Sequence, residues 1–203
     1  MNLTATVGVQ QNNSGATPAQ GLRQLAQGDL AVSELHGRYF EQGRAGNVFS
    51  AANQAAQAVS VALATAYTGL MLYNPIGSGV ILVPNKIKFA LSVAPAAIAT
   101  LGLISGVQTA APTGLTALGV RSSQIGNAKA GAGLAYSAAT INTPVWMKHL
   151  LDGFTAAALP APTPPIDLEG LIQILPGGFL AIGALTAVTG LGSIVWEEVP
   201  ITS

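Results

Sequence analysis

The stretch from Gly170 to Trp196 carries no charged residue and is long enough to cross a membrane as one helix, which needs about 20 apolar residues. Such a helix would include Pro176 and five glycines, and each interior glycine costs about 1 kcal/mol relative to alanine in a soluble helix. The five glycines are Gly177, Gly178, Gly183, Gly190 and Gly192. Glu169 and Glu197 flank the stretch and no Lys or Arg follows Lys148, so the basic flank that orients a membrane helix is missing. The stretch therefore favours β-strands over a membrane span.

Two strands are predicted here. Residues 176–178, Pro-Gly-Gly, form a turn signal, and residues 179–188 follow with apolar side chains at successive positions. Residues 189–190, Thr-Gly, interrupt the pattern, and residues 191–199 resume it with β-branched and aromatic side chains. Apolar side chains on both faces of a strand indicate burial on both faces. We expect the core behind this sheet and another subunit in front of it.

A hairpin is predicted in the middle of the chain. The segment 74–79, Asn-Pro-Ile-Gly-Ser-Gly, is rich in turn residues and separates two apolar runs. In the second run Lys86 and Lys88 alternate with Ile87 and Phe89, which predicts a strand with one solvent-exposed face and one buried face.

Short strands and turns are predicted through the rest of the chain. Glycines and prolines divide residues 89–120 into short pieces, and residues 143–155 form a strand. The proline-rich segment 159–165 is an extended loop, and residues 166–175 form another strand. Residues 119–139 are rich in Gly, Ala and Ser, and their pattern favours no particular secondary structure. Strands and turns at this spacing are typical of an all-β sandwich or barrel.

Three parts are expected along the chain. Residues 1–27 are polar and are predicted to form a flexible or extended arm. Residues 28–50 concentrate charge in a chain that otherwise avoids it, and residues 51–203 form the β domain.

The overall composition excludes some functions. Charged residues make up 8% of the chain against about 25% in an ordinary soluble protein, and the formal net charge is zero. A nucleic-acid-binding protein needs a basic footprint, which is missing. So few charges at net zero favour association, so we expect neighbouring subunits to cover much of the surface. The chain has no cysteine, and its N-terminal residues lack the pattern of a secretory signal.

Few residues could carry chemistry. The two histidines, His36 and His149, stand far apart, and neither a zinc-binding helix motif nor a phosphate-binding loop is present. His149 and Asp152 could belong to a catalytic triad, but no nucleophile elbow accompanies them. Glu197 and Glu198 would point to opposite faces of a strand, which favours a solvated edge over a shared acid–base site. We therefore expect no catalytic residue, no metal site and no cofactor.

Asp167 and Glu169 form a second acidic pair. Asp167 and Glu169 would share one face of a strand and could bind a cation with a third ligand, but a wet surface pair is favoured.

Two groups of residues are candidates for contacts. The charged segment could fix the register of a partner, or it could be a solvated surface. Its candidate contact residues are Asp29, Leu30, Glu34, Leu35, His36, Arg38, Tyr39, Phe40 and Arg44. Large apolar side chains farther along could anchor the core or a subunit interface. These are Trp146, Phe179, Ile182, Ile194 and Trp196.

The segments GDLAVSELHGRYFEQGRAGNVFSAANQA and ILPGGFLAIGALTAVTGLGSIVWEEVPI resemble minor structural proteins of tailed, often short-tailed, bacteriophages. The capsid cement or decoration protein is the class they resemble most. This resemblance implies a jelly-roll-like antiparallel β-sandwich that forms homotrimers on the outer surface of an icosahedral head. The implied partners are further copies of the chain and the major capsid protein, with no nucleic acid and no membrane. Such a protein is made in the host cytoplasm, and its N-terminal arm gains order against the capsid lattice.

Three other functions remain open. A trimeric head-fibre or tail receptor-binding protein would share the β fold but would expose aromatic side chains for recognition. An enzyme such as a glycan hydrolase would need convergent carboxylates, which are few. A membrane protein such as a phage lysis factor would need the membrane span that the glycines disfavour.

Overall fold

The computed structural model describes residues 39–154 and 165–201. Cα proximity divides the chain into two units, Met1–Phe40 and Glu41–Ser203. The predicted arm, residues 1–27, lies outside the described residues, as do residues 28–38 of the charged segment. The description below concerns the second unit and the short helix at its start.

The described residues form one short helix and twelve strands. In chain order these are α1 (Phe40–Arg44), β1 (Val48–Ala52), β2 (Gln57–Val59), β3 (Ala66–Tyr73), β4 (Val80–Leu91), β5 (Ala99–Val107), β6 (Thr113–Leu118), β7 (Arg121–Ser122), β8 (Leu134–Thr140), β9 (Val145–Phe154), β10 (Ile166–Asp167), β11 (Gly178–Ala184) and β12 (Val188–Pro200). None of the described helices is long and apolar enough to span a membrane. The predicted all-β class is confirmed.

Two six-stranded antiparallel sheets pack together as a sandwich. The first sheet has the order β10-β4-β12-β1-β7, with β2 paired to β12 as well. The second sheet has the order β6-β8-β3-β11-β5-β9. The long strand β12 pairs with β4 along its length and is the centre of the first sheet. The stretch without charge thus supplies one strand to each sheet, β11 and β12.

The core lies between the sheets because both contribute apolar side chains to one cluster. Its largest members include Phe49, Leu70, Leu72, Leu82, Leu101, Leu103, Leu180, Ile182, Ile194 and Trp196. The Trp196 ring stacks on Phe49 with 6.2 Å between centroids. Burial of such side chains is worth roughly 1.5–3 kcal/mol each, which makes this cluster the main source of stability.

The second sheet is apolar on its other face too. A separate buried cluster there contains Tyr67, Met71, Tyr73, Ile104, Tyr136, Ala139, Ile141, Phe179 and Ala181. In β11, Phe179 and Ala181 belong to this outer cluster, whereas Leu180 and Ile182 belong to the core between the sheets. Burial of β11 on both faces, which the sequence predicts, is therefore confirmed.

The predicted strand alternation in β4 is confirmed as well. Ile87 and Phe89 are buried, whereas Lys86 and Lys88 are exposed. The strand also contains Pro84, which has no N–H to donate to a sheet. The register with β12 slips at this point, which places a bulge beside the proline and lets the central strand tolerate it.

The predicted hairpin at residues 74–79 is wrong. The strands on its two sides lie in different sheets, β3 in the second and β4 in the first, so the loop crosses between layers. The Asn74 side chain stabilises this crossing loop, because its Nδ2 donates to the carbonyls of Val80 and Ile174 at 2.8 Å each. Six residues are enough to span the distance of about 10 Å between packed sheets.

The predicted break at Thr189-Gly190 is wrong as well. β12 runs without interruption from Val188, and the chain turns earlier, between the ends of β11 and β12. Gly190 instead marks a close approach, since a Cβ there would meet the Phe89 ring and the carbonyl of Ala90.

The strand predicted at residues 166–175 is largely absent. Only Ile166–Asp167 forms a strand, and Ile174 makes an isolated bridge to Leu82. Glu169 and Gly170 both have positive φ, +46° and +80°, and they turn the chain away from the sheet edge. The strand predicted at residues 143–155 is confirmed as β9.

Candidate functional site

Only three of the predicted contact residues in the charged segment lie within the described residues. Tyr39 precedes the short helix α1, Phe40 begins it with 44% of its surface exposed, and Arg44 ends it. Arg44 forms an ion pair with Glu41 at 3.6 Å, and both side chains are mostly in solvent. The others, Asp29, Leu30, Glu34, Leu35, His36 and Arg38, lie outside the described residues.

The large apolar side chains predicted as anchors fall into two groups. Ile182, Ile194 and Trp196 are buried between the sheets, and Phe179 is buried in the outer cluster of the second sheet. Trp146 differs, because it stands on the outermost described strand β9 and is only half-buried. Its ring stacks on His149 with 5.7 Å between centroids. Trp146 and His149 thus stack on each other along this edge strand.

The residues considered for chemistry do not converge. His149 is stacked on Trp146, and the side chain of Asp152 lies outside the described side chains. Asp167 forms an ion pair with Lys86 at 3.4 Å, while Glu169 has left the strand, so the two carboxylates do not share a strand face. Among the described residues there is no group of three His, Asp or Glu that could hold a metal ion.

Three N–H groups bind the carboxylate of Glu198. The expected solvated edge is wrong for this residue, which is 9% exposed. Its carboxylate accepts N–H bonds from Ala132 at 3.0 Å and Gly133 at 2.9 Å, and from the Trp196 indole at 3.2 Å. The carboxylate therefore holds the start of β8 against the centre of the first sheet.

The Gly-Ala-Gly segment that supplies these amides has a packing role. A Cβ at Gly133 would approach Leu82 and the Trp196 indole at about 3 Å, so the backbone can reach the carboxylate only because it carries no side chain there. The only signal in the sequence is the small residues just before a strand.

Glu197 lies on the opposite face of β12. It is paired with Val48 on one side and Val83 on the other, and partial burial raises the pKa of its carboxyl above the usual value. The predicted separation of the two glutamates onto opposite faces is confirmed.

A groove of about 410 Å³ opens where β11, β5 and β9 meet the segment leading into β11. None of the described residues that line it is charged. Val107, Val145, Met147 and Leu175 line it and are about half exposed or more. The segment that forms its other wall is fixed by the mutual backbone bonds of Ile174 and Leu82, at 2.8 and 3.1 Å. No local sequence pattern predicts this groove, because it joins residues about 70 positions apart.

Exposed apolar side chains are common over the described surface. Sixteen large hydrophobic residues there expose at least 37% of their surface, and Ile125 is fully exposed. These exposed apolar side chains stand beside few charged residues, since charged residues make up only 8% of the chain.

Comparisons with protein-family models, with curated proteins and with solved structures find no match to this chain.

Proposed function

We propose that this chain is a virion structural protein without enzymatic activity, a cement or decoration protein. It binds the outside of an icosahedral phage capsid as a homotrimer of jelly-roll-like sandwiches and stabilises the shell. The observation that carries the proposal is the exposed apolar surface on a β-sandwich with very few charges. The resemblance of the two terminal segments to phage virion proteins supports the same conclusion.

The surface suits a protein that is covered by neighbours. A cement protein adds binding free energy across the joints of a shell that packed DNA pushes outward. Removal of apolar area from water supplies this free energy, and many symmetry-related copies multiply it. Charged groups would oppose this, because each must lose water when a neighbour covers it.

The head-fibre or tail receptor-binding alternative is less well supported. A receptor-binding surface commonly presents aromatic side chains to its ligand. Among the large hydrophobic residues that the described surface exposes, Phe40 is the only aromatic one. The apolar exposed residues are otherwise aliphatic or Met, which suits a broad protein–protein contact.

The test uses particles made without the gene for this chain, to which the purified chain is added back. The chain is expected to bind the heads to saturation and to raise the temperature at which they release DNA. Heads that neither bind the chain nor gain heat resistance would contradict the proposal. Binding to a bacterial surface glycan in place of heads would favour the receptor-binding alternative.

A further inference from the structure

Lys129, Asn47 and Glu198 meet on one face of the first sheet. Lys129 Nζ donates to the side-chain oxygen Oδ1 of Asn47 at 3.1 Å. The backbone N–H of Glu198 donates to the Asn47 carbonyl at 2.9 Å, and the adjacent residues Val48 and Glu197 are paired in register. Asn47 therefore lies directly opposite Glu198, and residues so placed have Cβ atoms about 5 Å apart on the same face. An amine, a carboxamide and a carboxylate are thus neighbours here.

Two aromatic rings show that these side chains share a face. Phe49 lies two positions after Asn47 and is therefore on the same face of the extended chain. The Phe49 ring stacks on Trp196 with 6.2 Å between centroids, and the Trp196 indole donates to the Glu198 carboxylate at 3.2 Å. Lys129 Nζ lies 5.9 Å from the centroid of the Phe49 ring. The two rings thus form an apolar wall beside the three polar groups.

Each of the three groups is held in place by bonds of its own. Asn47 Nδ2 donates to Gln42 Oε1 at 3.5 Å, while Oδ1 accepts from Lys129. The backbone N–H of Lys129 donates to Asn127 Oδ1 at 2.9 Å. Farther along the same segment, two backbone amides donate to the Glu198 carboxylate. Groups positioned in this way have already lost much of the freedom that a reaction between them would otherwise cost.

These three groups can form an amide bond without a cofactor. A lysine amine becomes a nucleophile when a neighbouring base removes a proton, and a carboxylate is such a base. Glu198 takes one proton from the Lys129 ammonium, and Nζ attacks the side-chain carbon Cγ of Asn47. The Nζ–Cγ bond forms, the Cγ–Nδ2 bond breaks, and a second proton passes from Nζ to Nδ2, which leaves as ammonia. Glu198 then gives its proton to the ammonia, so one ammonium ion is released and the carboxylate is restored.

We propose that Lys129 and Asn47 form an intramolecular isopeptide bond, with Glu198 as the proton acceptor. Lys129 is exposed and Asn47 is partly exposed, so the ammonium ion has a path into solvent. The bond ties the segment before β8 to the start of β1, across 82 positions of the chain. A covalent cross-link over such a span stabilises a fold by constraining the unfolded chain. The bond does not depend on the capsid role, so a chain without it could still be a cement protein.

The mass of the purified, folded chain tests the bond. The wild-type chain is expected to be lighter than its sequence mass by one ammonia molecule. Trypsin does not cleave after an acylated lysine, so its digest is expected to contain residues 45–86 joined to residues 122–148. A chain of full sequence mass, whose digest contains residues 122–129 as a separate peptide, would overturn the inference.

The Lys129→Arg variant separates this bond from other losses of ammonia. Arginine keeps the positive charge but cannot form the bond, so the variant is expected to have its full sequence mass. A loss of ammonia that persists in Lys129→Arg would overturn the inference, because Asn47 would then have cyclised onto its own backbone.

The Glu198→Gln variant tests the proton acceptor, with Glu197→Gln as the matched control on the opposite face. Circular dichroism verifies that both variants are folded. Glu198→Gln is expected to keep its full sequence mass, whereas Glu197→Gln is expected to lose one ammonia molecule as the wild type does. Equal linkage in the two variants would overturn the role of Glu198. If Glu198→Gln does not fold, the masses of the wild type and of Lys129→Arg still decide whether the bond exists.

Discussion

Glu197 and Glu198 are neighbours in the chain but meet opposite surroundings. Glu198 is buried with three N–H donors, two of them from the backbone, whereas Glu197 lies half-buried between two valines. The Glu198→Gln substitution keeps the shape of the side chain and removes its charge. It also points an amide N–H donor at the N–H groups that bind the carboxylate in the wild type. We expect Glu198→Gln to lower the free energy of unfolding by about 2 kcal/mol, as is typical for hydrogen bonds to charged groups. Glu197→Gln is the matched control, and equal losses in chemical denaturation would contradict this assignment.

The carboxyl of Glu197 also makes stability depend on pH. Burial raises its pKa in the folded state above the usual value of 4.5, so the folded protein holds this proton more tightly than the unfolded chain does. The contribution of the Glu197 carboxyl to the free energy of unfolding is therefore fully present below its pKa in the unfolded chain. This contribution is lost as the pH rises through its pKa in the folded protein. We expect Glu197→Gln to gain stability relative to the wild type as pH rises from about 4 to about 7. Melting curves over this range measure the difference, and a difference independent of pH would refute the assignment.

At the scale of single elements, the close packing of β12 against β4 shows why a glycine-rich apolar stretch forms a strand. Gly190 leaves space that the Phe89 ring and the Ala90 carbonyl of the adjacent strand occupy. We expect Gly190→Ala to destabilise the protein by about 1–3 kcal/mol, the usual range for overpacking. Gly119→Ala is the control, because nothing lies within 4 Å of a Cβ at that position. Thermal denaturation compares the two, and a neutral Gly190→Ala would show that the strands can separate freely at this point.

Local pattern predicted the strands better than it predicted their partners. The alternation of lysines with apolar residues predicts the exposed and buried faces of β4. Apolar side chains on both faces predict the burial of β11 on both sides. The predictions for the loop at 74–79 and the dipeptide at 189–190 are wrong because both segments carry ordinary turn residues. Their roles depend on Ile174 and Phe89, which are distant in sequence. Local pattern does not predict the burial of Glu198 for the same reason, since the backbone amides that bind its carboxylate lie about 65 residues upstream.

At the scale of the whole molecule, the apolar side chains of the described residues fall into a buried group and an exposed group. One part is buried between the sheets and in the outer cluster of the second sheet. Another part remains exposed at sixteen described positions, beside few charges. Under the proposed function, the exposed part contacts copies of the same chain and a capsid. Since apolar contacts strengthen when sulfate is excluded from the surface, self-association is expected to tighten as ammonium sulfate is added. Light scattering follows this effect, and dissociation by the salt would indicate that ion pairs dominate the contact.

The number of copies per particle tests the capsid role most directly. Quantitative mass spectrometry of purified virions compares peptides of this chain with those of the major capsid protein. A protein that seals the joints of the whole shell should be present at a number of copies near that of the coat protein. A count of only a handful of copies per particle would contradict the account and would place the chain in a fibre or tail.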